Sequence, residues 1–99
     1  MSQPGTPQEA VQALSRLRER LEEVDRQVLE LIVLRTRLAA EAGHAKRAAG
    51  LPLLDPVREA RVVETAAAEA RQAGIPDAEV RQVFRLLIAL ARQQQEAIR

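Results

Sequence analysis

Arg35 stands where the spacing of the surrounding leucines and valines calls for an apolar side chain. A buried guanidinium without a partner costs several kcal/mol even after relaxation, so an anion must lie beside it. A carboxylate of the protein, Glu41 or Glu59, meets that need, and so does a carboxylate of a bound ligand. In the heptad frame set by the leucines, Arg18, Asp25 and Lys46 fall on the flank next to Arg35, forming a polar lane beside an apolar seam. Such a lane reads either as charges that pair between helices or as ligand contacts. Fourteen of the 15 basic residues are arginine, as an arginine-preferring genome produces, and Lys46 is the lysine that has been kept.

Two further groups invite a chemical reading. In the segment Asp55-Pro56-Val57-Arg58-Glu59, Asp55 is explained as a helix N-cap, whereas Arg58 in the first turn runs against the helix dipole. A first turn also favours anions through its free N–H groups. Gln95 falls on or beside the inward face of the last helix, where a neutral amide donates a hydrogen bond without titrating; a polar, fraying end is the alternative. Together these groups bind carboxylates and donate hydrogen bonds. Cysteine is absent, which excludes disulfides and thiolate metal sites and suits a reducing cytoplasm. One histidine, His44, does not make a metal cluster, and neither a metal nor a cofactor is expected.

The elements that must position these residues follow from a few breakers. Met1 to Gln8 is polar, carries Pro4, Gly5 and Pro7, and reads as a disordered tail and not a signal peptide. The spacing predicts a first helix from about Glu9 to Ala49, roughly 60 Å long at 1.5 Å per residue. Leu14, Leu17, Leu21, Val24, Val28, Leu31, Leu38 and Ala42 form its seam. A second helix is expected from Pro56, behind the Asp55 cap, to Ala73 before Gly74, with Val63, Ala66, Ala67 and Ala70 inward. The third is expected from Asp77 to about Ile98, with Val80, Val83, Phe84, Leu87, Ile88 and Ala91 on one stripe.

At about 27 and 33 Å the shorter helices cannot cover such a seam alone. The economical solution is a second copy of the chain, giving an all-α, intertwined homodimer of three helices per chain. Net charge is +1, Phe84 is the only aromatic residue and no basic block stands out, which argues against nucleic acid. No apolar run reaches the roughly 20 residues that span a bilayer, so no membrane role is expected.

The order and spacing of these pieces resemble the all-helical chorismate mutases. The resemblance runs from about Leu14 to Gln95. It rests on Leu17-Arg18-Glu19-Arg20-Leu21, Val24-Asp25, Leu34-Arg35, Glu41-Ala42-Gly43-His44-Ala45-Lys46, Asp55-Pro56-Val57-Arg58-Glu59 and Gln95. It implies a chorismate mutase domain over residues 9–99, an isomerase of aromatic amino-acid biosynthesis in the shikimate pathway, cytoplasmic and homodimeric, turning chorismate into prephenate. The reaction is a concerted rearrangement that needs positioning and electrostatic stabilisation, not a nucleophile or a metal.

Carried over by the resemblance, Arg35 binds one substrate carboxylate and Arg18 of the partner subunit the other. Lys46 and Gln95 donate to the ether oxygen, Arg58 adds a cationic contact, and Glu59 with the Asp55 region receives the ring hydroxyl. Gly43 either lets a helix or ligand approach closely or is a merely tolerated glycine. Ala91 departs from relatives with a serine there, which removes one polar contact. Gln95 in place of a glutamate implies activity that does not require acid pH. Sibling activities on the same fold are isochorismate pyruvate lyase and aminodeoxychorismate mutase; the intact Asp55–Glu59 segment favours the mutase. A non-catalytic helical dimerisation module is the reading from another class, and Arg35 with the lone Lys46 speaks against it.

Overall fold

Each helix boundary has a local cause. The computed structural model describes residues 5–97, and within them the regular elements are α1 (Pro7–Ala48), α2 (Pro56–Gln72) and α3 (Asp77–Ala97). α1 starts two residues before the expected Glu9. Thr6 caps it, its Oγ1 accepting from the Glu9 N–H at 3.1 Å, while the Glu9 carboxylate accepts from Gly5 N–H at 3.1 Å. Thr6-Pro7-Gln8-Glu9 is thus a capping segment with proline at the first helical position, and Pro7 and Gln8 belong to the helix and not to the tail. Residues 1–4 of the expected tail and the expected end of α3 at Ile98 lie outside the described residues.

α1 and α2 end in the same way. Gly50 and Gly74 adopt φ of 70° and 73°, a left-handed conformation that favours glycine. At the first, Gly50 N–H donates to Arg47 C=O and Leu51 N–H to Lys46 C=O. At the second, Gly74 N–H donates to Arg71 C=O and Ile75 N–H to Ala70 C=O. Both are Schellman motifs, and Pro52 and Pro76, two residues beyond each glycine, prevent the helix from resuming. Asp55 caps α2 as expected, accepting from Arg58 N–H at 3.1 Å.

Two compact units divide the chain between Val33 and Leu34. The described part of the first is the N-terminal stretch of α1. Its Leu14, Leu17, Leu21, Val24, Val28 and Leu31 are all exposed, because one helix offers them nothing to pack on. The second unit holds the end of α1 together with α2 and α3. Its core is the inward face of α2, where Val63, Ala66, Ala67 and Ala70 are buried as the 3.6-residue period predicts. Small side chains on that face let α3 approach closely. Of the expected α3 stripe, Val80, Phe84, Leu87, Ile88 and Ala91 are partly buried, but Val83 is exposed. Two arginines join α3 to α2 from the surface, Arg81 pairing with Glu64 and Arg92 with Glu59. No described helix is long and apolar enough to cross a membrane.

Candidate active site

Within the second unit a cleft of about 280 Å³ is lined by Arg35, Leu38, Ala39, Ala42, Lys46, Arg58, Ala91 and Gln95. On α1, Arg35, Leu38, Ala39, Ala42 and Lys46 fall at spacings of three, one, three and four, which places them on one helical face. Arg58 comes from the first turn of α2, and Ala91 and Gln95 from consecutive turns of α3. Three cations and a neutral amide therefore meet in one place, and no lining residue is acidic.

Three of the four polar side chains are held by backbone carbonyls. Arg35 Nη1 donates to Leu87 C=O at 3.1 Å, Lys46 Nζ to Leu53 C=O at 2.8 Å and Gln95 Nε2 to Ala39 C=O at 3.2 Å. A carbonyl orients a cation without cancelling its charge. Arginine carries five N–H donors, lysine three and glutamine two, so each group keeps donors free after its anchor is made. The arrangement is preorganised and electropositive, suited to an anion with more than one oxygen.

Neither Glu41 nor Glu59 supplies the counter-charge that the seam position of Arg35 calls for. Among the described residues Arg35 enters no ion pair, and Glu59 is engaged by Arg92 instead, through Nε to Oε2 at 2.9 Å and Nη2 to Oε1. Burial, and then the neighbouring Arg58 charge, push the Arg35 pKa down, which is the signature of a cation lacking an anion. Arginine nevertheless remains protonated.

The residues expected at the site divide into three groups. Arg35, Lys46, Arg58 and Gln95 line the cleft together. Asp55 and Glu59 do not line it: Asp55 caps α2, and Glu59 faces a second groove of about 300 Å³ between α2 and α3, lined also by Ala60, Val63, Arg85, Ile88 and Arg92. The Glu59 carboxyl still lies close enough to Lys46 and Asp55 to interact with both charges. Arg18 belongs to the first unit and lies on its exposed helix. Gly43 is the one buried residue of α1 among those described. The sequence did not single out Leu38 and Ala39 as walls or Arg92 as the partner of Glu59.

Comparison with known proteins bears on this cleft. A family model described as chorismate mutase type II matches residues 17–96, the stretch that contains Arg18 through Gln95. A T-protein of Enterobacter agglomerans is 36% identical over 75 residues, 76% of this chain and 20% of that protein. A T-protein of Haemophilus influenzae is 34% identical over 65 residues, 66% of this chain and 17% of that protein. A chorismate mutase of Methanocaldococcus jannaschii is 35% identical over 49 residues, 50% of each chain. The chain thus spans about a fifth of the two T-proteins and half of the mutase. The match covers most of the chain and every side chain of the electropositive cleft: the protein belongs to the chorismate mutase type II family, a family of isomerases.

Proposed function

We propose that the protein is a homodimeric chorismate mutase that converts chorismate to prephenate without covalent catalysis. The observation that carries this reading is the convergence of Arg35, Lys46, Arg58 and Gln95 on one cleft with no acidic wall. In the rearrangement the C–O bond of the enol ether breaks as a C–C bond forms, and negative charge grows on the ether oxygen. The substrate brings two carboxylates that the cations hold in the compact conformer required for reaction. Arg35 binds one of them, and Arg58 adds a second cationic contact. Lys46 and Gln95 donate their free N–H groups to the ether oxygen, where a charge-matched donor acts most strongly in the transition state.

The other carboxylate goes to Arg18 of the partner subunit. The exposed leucine and valine seam of α1 supports the homodimer, because six large apolar side chains in one line are the pattern of an interface rather than of a free surface. Glu59 and the Asp55 turn receive the ring hydroxyl. Gln95 has no charge to lose, so turnover is expected to stay level from mildly acidic to neutral pH; a steep fall over that range would contradict its role.

The reading is tested by supplying purified substrates separately. Prephenate formed from chorismate at an enzymatic rate supports it. Salicylate and pyruvate formed from isochorismate, or rearrangement of aminodeoxychorismate alone, would assign a sibling reaction, and no turnover of any would leave a non-catalytic module.

A further inference from the structure

Glu59 and Arg92 form a side-on pair in which each carboxylate oxygen accepts one guanidinium N–H. An ionised carboxylate has about four lone-pair sites, so roughly two remain open while the pair is intact. The carboxylate is the shielded member, with 19% of the Glu59 side chain exposed against 48% of Arg92. Glu59 directly follows Arg58 on α2, and Arg92 stands one turn before Gln95 on α3. The pair consequently ties together the two helical turns that bring Arg58 and Gln95 to the cleft.

We propose that Arg92 is a positioning residue for the reaction: it locks the Glu59 carboxylate in one orientation, so that the lone pairs left open accept the ring hydroxyl of the substrate. The inference rests on the assignment of Glu59 to that hydroxyl made above. It goes further in naming what holds the acceptor still and keeps it ionised.

The surroundings of Glu59 fix the expected pH behaviour. Arg92 contacts it from α3 and Arg85 lines the same groove; Lys46 acts on it from α1, and Asp55 opposes them from the cap of α2. The hydrogen bonds from Arg92 are the largest influence, holding the Glu59 carboxyl below the ordinary carboxylate range. A depressed value means that the acceptor stays ionised to lower pH. Without Arg92 it returns up toward the ordinary carboxylate range, and the acid limb of kcat/KM moves up in pH.

The test compares Arg92→Met, Arg92→Lys, Glu59→Gln and Arg81→Met in the full chain. Arg81→Met removes the other arginine that joins α3 to α2, whose partner Glu64 is 63% exposed, and serves as the control for a purely structural tie. The readouts are kcat/KM for chorismate across pH and the titration of the Glu59 carboxyl by carbon NMR. Arg92→Met is expected to raise the Glu59 midpoint and to lower neutral-pH kcat/KM about ten- to a hundredfold, the range for a displaced catalytic contact. Arg92→Lys is expected to restore the midpoint but only part of the rate, and Arg81→Met to change neither. An unmoved midpoint in Arg92→Met, or wild-type kcat/KM in it while Glu59→Gln is impaired, overturns the positioning role. Wild-type activity in Glu59→Gln contradicts the hydroxyl assignment instead, and the NMR midpoint then still judges whether Arg92 controls the carboxylate.

Discussion

Leucine and alanine exchange their usual places in this chain. The stripe of α2, one valine and three alanines, is buried, while the leucine-rich stripe at the start of α1 is open to solvent. Both have helical periodicity, so the pattern alone does not decide burial. What decides it is a facing surface: α3 offers one to α2, and no element of the first unit offers one to the seam. Fully covering a Val or Leu side chain stabilises by about 1.5–3 kcal/mol, and these six are already half-covered at best. The small side chains of α2 give the second unit close packing; the large ones of α1 are left with apolar surface still open to solvent.

The contrast predicts that the two stripes fail differently. The largest effect is expected from a charge on the seam. Leu21→Glu should abolish self-association and with it turnover, since the partner then no longer supplies Arg18; a variant that sediments as wild type and stays active would remove the seam from the account. Next comes the cleft. Lys46→Ala should lower kcat by about 10²–10³-fold while thermal stability stays near wild type, because one donor to a developing oxyanion is lost and its anchor is a single loop carbonyl. Steady-state kinetics and a melting curve on the same sample separate the two.

A core change should act the other way. Ala67 is fully buried, and Ala67→Leu overpacks the face that α3 approaches, costing typically about 1–3 kcal/mol of stability in a denaturant titration. At temperatures where the variant is folded its kcat should change much less than that of Lys46→Ala. The smallest effect is expected at Arg81→Met, whose partner carboxylate is solvated and screened, and the melting temperature should stay within the scatter of repeats.

Helix ends were legible in the residues because their causes are local. Gly50-Leu51-Pro52 and Gly74-Ile75-Pro76 write the two stops, and Asp55-Pro56 writes a start. The start of α1 lies earlier than Pro4 and Pro7 suggest, because Thr6 and Glu9 around Pro7 make a cap. Periodicity was enough for the inward face of α2, but not for Val83, which shares the stripe of α3 and is nevertheless exposed. The meeting of Arg35, Lys46, Arg58 and Gln95 followed from family spacing, since helices this long place residues from different elements together only once their packing is known. The anchors of three of these side chains are backbone carbonyls, which every residue possesses and no sequence pattern marks. The Arg92–Glu59 pair was hidden for a related reason: 33 residues separate its members, and the register of α2 on α3 selects it.

The central claim is a clamp divided between two copies of the chain, and mixing two inactive variants tests it most directly. Arg18→Ala and Arg35→Ala homodimers should each be nearly inactive toward chorismate. After unfolding and refolding together in equal amounts, random pairing gives mixed dimers with one intact site and one doubly defective site. About a quarter of wild-type prephenate formation should then return. If the mixture remains as inactive as its components although mixed dimers form, Arg18 and Arg35 do not serve one site from two subunits, and the shared clamp is contradicted.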